Sequence, residues 1–479
     1  MVRVRLAPSP TGMMHIGTAR AGLFVWLFAK QNKGKFILRI EDTDKERSEK
    51  KYEDSIVEGL KSLGLEWDEF YRQSERTSIY RSHLERLVKE GKAYPCFCSK
   101  EELEAEREKA EKEKRPFTYS GKCSELSAEE AETKIKEGED YVIRFRMPEE
   151  EISFTDMVRG EVSYDTSLIG DIVIAKNYNE PLYNFVVVVD DALMEITHVI
   201  RGEDHLPNTP KQIALLRAFG YKEPIYAHLP LILNKDRSKM SKRGGDVALV
   251  DFINDGYLSE ALINFLALLS WHPKDDREIF SLNDLIKEFD MGRVQKAGPV
   301  FDYMKLDWLN HKYISEILPA EEIAKRGQSF VSADWKLTPS IVNAVKARLE
   351  KLSGLESAVR LFFVAPDYPA ELLMPARHSR DPSRALAAAE GGNPDVSGDM
   401  VKSHLEELLS VVLGTEEFSK ENLESEIFAI VPGDKKGEWL WPLRVALSGL
   451  KESPGPFEIM EGLGKEESLK RIRSAIEKL

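Results

Sequence analysis

The segment Pro8-Ser9-Pro10-Thr11-Gly12-Met13-Met14-His15-Ile16-Gly17-Thr18 carries the first chemistry legible in the chain. Before it, Val2, Val4 and Leu6 alternate with Arg3 and Arg5, which is a strand pattern. After it, Leu23, Trp26, Leu27 and Phe28 recur at helical spacing. A strand-to-helix turn gathers unpaired backbone N–H groups and the positive end of a helix dipole, so phosphate can dock there. His15 would stand beside that phosphate as a donor. Gly17 leaves the backbone bare for a base or ribose. Taken alone, the segment also suits an ordinary turn with a surface histidine. The second segment is Lys239-Met240-Ser241-Lys242-Arg243, followed by Gly244-Gly245. Three cations in a glycine-flanked loop suit a mobile clamp on polyphosphate charge. Alone, they read first as a basic surface loop. No G-x-G-x-x-G follows a strand, and neither G-x-x-x-x-G-K-[ST] nor H-E-x-x-H occurs. Any nucleotide is therefore held by other means.

The elements that must position these residues follow from periodicity. Phe36 to Ile40 reads as a second strand ending at Glu41, and a helix follows with Asp42 to Asp44 and Ser48 as capping material. Strand, helix, strand, helix with short links predicts an α/β fold with a parallel, doubly wound sheet. Ligands bind such sheets beyond the carboxyl ends of strands, where Arg5 to Ser9 and Glu41 sit. Residues 100–115, dense in Glu, Lys and Arg, predict a solvated helix. Short alternating runs from Tyr141 to about Tyr183 suggest an inserted domain. The valines of Phe185 to Val189 favour a strand, with a buried helix as the alternative. His198 to Arg201 reads as a strand end, Thr209 to Phe219 as a helix and His228 to Leu233 as a strand. Helical patterns dominate beyond residue 240, interrupted at 375–400 by a loop or link.

The 479 residues suit three to five modules. A chain 42% hydrophobic and 31% charged is balanced like a soluble globular enzyme. A formal charge of −14 excludes a generic basic nucleic-acid coat, though not a local basic surface. Three cysteines cannot form a disulfide framework in so long a chain, which favours a reducing compartment. The apolar stretch from Ala21 to Ala29 is far short of the ~20 residues that span a bilayer. The reading is cytoplasmic and soluble, with no membrane partner.

Together, His-Ile-Gly-Thr after the first strand and Lys-Met-Ser-Lys-Arg over two hundred residues later resemble the HIGH and KMSKS motifs of class I aminoacyl-tRNA synthetases. With R-x-A-P-S-P-T-G, L-R-I-E-D-T-D, L-Y-N-F-V-V-V-V-D-D and H-V-I-R-G-E-D-H, the chain resembles the bacterial glutamyl-tRNA synthetases. The match runs from Val2 to about Tyr313 and resumes at Trp441 to Gly449 and Ser453 to Glu458. The resemblance implies a Rossmann-type parallel-sheet catalytic domain (1–85 and 185–240) split by an inserted α+β acceptor-stem-binding domain (86–184). A stem-contact domain with the K-M-S-K-R loop (241–315) and two all-α anticodon-binding domains (316–385 and 386–479) follow. For Phe185 to Val189 it implies a helix.

The activity it implies is ligation of glutamate to tRNA-Glu through glutamyl-adenylate, with ATP and Mg²⁺, in a monomer. The alternatives are a form that also charges tRNA-Gln, or an inactive tRNA-binding paralogue. By resemblance, His15 and Lys242 are catalytic. His15, Gly17, Thr18, Lys239, Lys242 and Arg243 bind ATP. Thr18 stands where the consensus has a second histidine. Arg5, Ala7 and Ser9 bind glutamate, Glu41 its ammonium, and Tyr183 and Arg201 complete the pocket, with His205 nearby. A guanidinium such as Arg5 holds a carboxylate in a bidentate pair, which glutamine cannot supply. Some family members bind zinc in the insertion through C-x-C and a later C-x-H. Here Cys96, Cys98 and Cys123 are followed by Glu125. Three thiolates and a carboxylate make a tetrahedral zinc site, and unliganded cysteines are the alternative. Arg348 matches the position that inspects the third anticodon base. Arg293 to Lys296, Lys305 and Lys470 to Arg473 are further candidate tRNA contacts.

Overall fold

The computed structural model describes residues 1–240, 248–375 and 396–479. They form two compact units, one of Met1–Ile253 with Ser259–Leu306, the other of Asn254–Leu258 with Asp307–Leu479.

In the first unit, β1 (Arg3–Leu6), β2 (Lys35–Ile40), β3 (Glu69–Arg72), β9 (His198–Gly202) and β10 (Ile225–Leu229) build a parallel sheet. The sheet has seven strands in the order β3-β2-β1-β9-β10-β6-β7. Its last two strands, β6 (Glu151–Asp156) and β7 (Gly160–Asp165), are an antiparallel hairpin from the inserted segment. A separate antiparallel sheet holds β4 (Ala93–Cys96), β5 (Val142–Phe145) and β8 (Ile172–Ala175). The insertion therefore contributes to both sheets.

Helix α1 (Ile16–Gln31) follows β1, and its apolar residues are buried nearly all round. Helix α2 (Lys50–Ser62) lies between β2 and β3, and α3 (Thr77–Lys89) follows β3. Glu49 caps α2 without a side-chain bond. The expected capping residues act elsewhere. Asp42 accepts from Ser74 N and Oγ at 2.8 and 2.6 Å, and Asp44 pairs with Arg47. Helices α4 (Lys100–Lys112) and α5 (Ala128–Lys136) each start at a serine capping box.

The strand leaning for Phe185 to Val189 fails, because these residues lie in α6 (Tyr183–Leu193). All seven residues from Phe185 to Asp191 are buried. Burial on every side rewards apolar bulk in either conformation, so tertiary packing overrides the β-propensity of valine. Helix α7 (Thr209–Phe219) packs beside it. β10 starts three residues before the expected span of His228 to Leu233, and it ends four residues before that span does because Pro230 lacks the N–H a ladder requires.

The second unit is helical, and none of its described residues forms a strand. Its main helices are Ala320–Gly327, Pro339–Val345, Leu355–Phe363, Gly398–Gly414, Lys420–Ile430, Lys436–Ser448, Pro456–Leu463 and Lys465–Lys478. The stretch 376–395, most of the expected link, lies outside the described residues.

Candidate active site and thiol cluster

A cleft of about 1590 Å³ opens at the carboxyl ends of the parallel strands. It is lined by Arg5, Ala7, Ser9, His15, Gly17, Thr18, Glu41, Tyr183, Arg201, His205 and Lys239. Residues 200 positions apart thus share one wall, because β1, β2 and β9 are neighbours in the sheet. Lys242 and Arg243 lie outside the described residues.

His15 caps α1. Its Nδ1 accepts from Gly17 N at 2.9 Å, so the neutral ring carries its proton on Nε2 as a donor. A Cβ on residue 17 would stand 3.2 Å from that Nδ1, closer than the cap allows without movement. The same turn is tied to the far side of the K-M-S-K-R segment. His15 bridges Ala248, and Leu249 N donates to Met14 O at 2.8 Å. On the near side, Lys239 pairs with Asp204 at 3.3 Å.

Behind the cleft lies a buried charge cluster. Arg5 donates to both oxygens of Asp191, at 3.0 and 3.2 Å. Arg39, with no exposed surface, donates to Asp191 at 2.7 Å and to Glu41 at 3.1 Å. Asp190 accepts from Gln73, Arg76 and Tyr80 at 3.0, 2.8 and 2.9 Å. Three guanidiniums (Arg5, Arg39, Arg76) therefore face three carboxylates (Glu41, Asp190, Asp191). Burial opposes ionisation of Asp191, but Arg5 and Arg39 overcome it and hold the carboxyl below its ordinary value. Glu41 goes the other way. Burial raises it, and Arg39 and Arg5 only partly offset that. A carboxylate left so is short of a cation.

Arg201 completes the wall from β9. Its Nε donates to His228 Nε2 at 3.1 Å and one terminal nitrogen, Nη2, to Thr209 Oγ1 at 3.0 Å. Its Nη1 is buried without a hydrogen bond, and Arg201 makes no ion pair among the described residues. Tyr183 Oη meets His205 Nδ1 at 3.0 Å. Burial, aided by Arg201, pushes His205 down to about 4, so the ring is neutral near pH 7. The cleft wall thus holds an unbalanced carboxylate, a guanidinium with one unbonded nitrogen and the donors of a helix start.

Far along the chain, Cys96, Cys98 and Cys123 bring their sulfurs within 4.8 Å of one another. Cys98 and Cys123 are 3.6 Å apart. Tetrahedral zinc with Zn–S bonds of about 2.3 Å needs S–S separations of about 3.8 Å, so the spacing fits. Glu125 stands apart from the thiols: it is exposed, and its carboxylate lies outside the group. The phenol of Tyr119 lies there instead, 3.4 Å from Cys96 Sγ and 3.3 Å from Cys98 Sγ. Burial, with the neighbouring thiols, pushes Cys98 up to about 12 when no cation is present.

In the second unit, Arg348 donates to Ser453 O at 2.8 Å. Arg444 lies over the ring of Trp441. Burial, with Arg348 close by, lowers the Arg444 guanidinium. Several expected tRNA contacts are engaged internally. Arg471 donates to Leu361 O and Leu447 O while 4% exposed, Lys296 donates to Arg159 O, and Lys305 pairs with Glu278.

Sequence reasoning assigned nothing to Arg39, Asp190, Asp191, His228, Tyr119 or Arg444. Two acids after four valines were the one available signal for Asp190 and Asp191. Tyr119 had none beyond standing four residues before Cys123.

Residues 1–308 match the family of class I tRNA synthetases (E and Q), catalytic domain, and residues 294–476 match an anticodon binding domain. A glutamate–tRNA ligase of Aquifex aeolicus is 44% identical, spanning 100% of this chain and 99% of its own. One of Thermodesulfovibrio yellowstonii is 42% identical over the whole of both chains. A crystal structure of a glutamate tRNA ligase from Elizabethkingia meningosepticum, in complex with its amino acid, superposes with a TM-score of 0.83. It is 33% identical and covers 99% of each chain. The chain belongs to the class I aminoacyl-tRNA synthetases, and within them to the bacterial glutamate–tRNA ligase family.

Proposed function

We propose that the protein joins L-glutamate to tRNA-Glu in two steps, with ATP converted to AMP and pyrophosphate. The observation that carries the reading is the charge pairing in the buried cluster behind the cleft, beside an Arg201 that has no ion pair among the described residues. Three guanidiniums match three carboxylates, and Arg201 remains unpaired at Nη1. Free glutamate carries one net negative charge, which Arg201 balances, and glutamine carries none.

Glutamate would lie with its ammonium on Glu41 and its side-chain carboxylate between Arg5 and Arg201, with Tyr183 donating beside them. Its α-carboxylate then attacks the α-phosphorus of ATP, and pyrophosphate leaves. ATP enters with its Mg²⁺. No protein nucleophile is required, so catalysis is positioning plus charge stabilisation. His15 Nε2–H and the start of α1 face the triphosphate, Gly17 and Thr18 floor the site, and Lys239, Lys242 and Arg243 neutralise the leaving charge. In the second step the ribose hydroxyl of the terminal adenosine attacks the mixed anhydride, and AMP leaves.

Segment 86–184 would hold the acceptor stem, 241–315 the stem below it, and 316–385 with 386–479 the anticodon. Arg348, Arg444 and Trp441 together offer cations and a ring face to unstacked bases. Zinc would be held by the thiolates of Cys96, Cys98 and Cys123 with Tyr119 as fourth donor, and its work there is to fix the insertion. The enzyme is read as a cytoplasmic monomer. No described helix is long and apolar enough to cross a membrane.

Charging of purified tRNA-Glu and tRNA-Gln with labelled glutamate and ATP tests the reading. Charging of tRNA-Glu alone supports a discriminating ligase, and charging of both a non-discriminating one. Charging of neither by folded protein with Mg²⁺ present overturns the proposal.

A further inference from the structure

His228 is a buried titratable group that none of the steps above uses. It ends no loop and touches no solvent, being 0% exposed on β10. Its two ring nitrogens have opposite duties. Nδ1 lies 2.6 Å from Asp156 Oδ2. Nε2 lies 3.1 Å from Arg201 Nε and 3.2 Å from Thr209 Oγ1. A guanidinium Nε–H only donates, so His228 Nε2 must be unprotonated to accept it. The proton then sits on Nδ1 and is donated to Asp156.

Asp156 is built to hold that arrangement. Its Oδ1 accepts from the backbone N–H groups of Val158, Arg159 and His228 at 2.9, 2.8 and 3.2 Å. Only Oδ2 is left for the imidazole. Burial opposes its charge, but the bonds from His228 and the backbone keep the carboxyl below its ordinary value. Burial also pushes His228 below its ordinary value, against Asp156 and with Arg201. The charged or titratable groups around the ring are Asp156 and Arg159 from the hairpin of the insertion, Arg201 from β9, His205 beyond it and Tyr226 beside it on β10.

We infer that Asp156 and His228 are positioning residues for glutamate recognition. They form a carboxylate–imidazole–guanidinium chain that fixes Arg201 with its Nη1 edge toward the amino-acid pocket. Thr209 holds the opposite edge, so two of the three nitrogens of the guanidinium are tied down and one is left for the substrate. The insertion thereby supplies, through Asp156 at the end of β6, a group that sets the amino-acid pocket of the parallel sheet. The inference rests on the reading of Arg201 as a glutamate ligand.

Asp156→Asn tests it. The three backbone donors keep a carbonyl oxygen at the Oδ1 position, so the amide NH₂ takes the place of Oδ2. It donates to His228 Nδ1 and drives the ring proton to Nε2, where it faces the Nε–H of Arg201. The readouts are glutamate and ATP KM in tRNA-dependent pyrophosphate exchange, and the His228 tautomer from ¹⁵N NMR of histidine-labelled full-length protein. Wild type is expected to show Nδ1–H with unprotonated Nε2. Asp156→Asn is expected to invert that and raise glutamate KM about 10- to 100-fold, with ATP KM within about twofold. The inference is overturned if wild-type His228 carries its proton on Nε2. It is also overturned if folded Asp156→Asn leaves glutamate KM within about twofold of wild type, or if both KM values rise together as thermal stability drops. The last result would mark a merely structural role. Arg201→Ala separates the two claims. If it leaves glutamate KM unchanged, the reading of the pocket fails and this inference with it. If it raises glutamate KM while Asp156→Asn does not, only the positioning chain fails.

Discussion

Asp191→Asn should uncouple glutamate binding from ATP binding. Among the described residues the Asp191 carboxylate is the only side-chain partner of Arg5, and it also accepts from Arg39, through contacts of 2.7 to 3.2 Å. Asparagine keeps one acceptor oxygen and turns the other into an N–H that faces the Nη2–H of Arg5. Three guanidiniums, two of them buried, then face two carboxylates. Removing one partner of a buried pair costs about 3–5 kcal/mol. Urea denaturation reads that loss in the transition that saturating glutamate shifts in the wild type, because a ligand stabilises the unit that binds it. Freed from its bidentate hold, Arg5 moves, and a displacement of about 1 Å at a positioning group costs about 100-fold. Glutamate KM should rise by that order, and ATP KM should hold. The pH sign follows from the depressed Asp191 carboxyl. Its stabilisation is present above the ordinary carboxyl value and lost as pH falls through the lowered one, so the variant should lose that part of the acid sensitivity. A folded Asp191→Asn protein with wild-type glutamate KM would refute the reasoning.

Three further outcomes follow from the same geometry. Glu41 is raised by burial, so kcat/KM for glutamate should fall as pH drops through its elevated value, and Glu41→Gln should be slow and flat across that range. His15→Asn keeps an acceptor for Gly17 N and loses the Nε2–H donor. Exchange kcat should fall about 10²- to 10³-fold with thermal stability unchanged, and an unaltered kcat would remove His15 from the chemistry. Metal analysis of purified protein should find one zinc per chain. Tyr119→Phe should weaken its retention against a chelator about 10- to 100-fold, while Glu125→Gln should not, and the reverse order would restore Glu125 as the ligand.

Local signals in the sequence carried the first half of the site well. The strand of Val2, Val4 and Leu6, the turn at His15 and the strand ending at Glu41 all stand where periodicity put them, because each depends on neighbours within a few residues. The valines of helix α6 point to a strand, and only the family resemblance points to the helix, since a segment buried on all sides has no amphipathic period to reveal its conformation. The charge cluster was invisible for another reason. Arg5 and Asp191 are 186 residues apart, and only strand order brings them together. Glu125 stands where the family resemblance has the histidine of C-x-H. The chain path through the insertion exposes it and turns Tyr119 inward instead.

The most direct test of the account is competition between glutamate and glutamine for ATP-dependent charging of tRNA-Glu by the wild-type enzyme. A cleft that keeps the Arg201 guanidinium without an ion pair for a carboxylate should favour glutamate by at least about 10⁴ in kcat/KM, because the neutral amide leaves that charge unmatched. Glutamine charged within about 100-fold of glutamate would contradict the central claim.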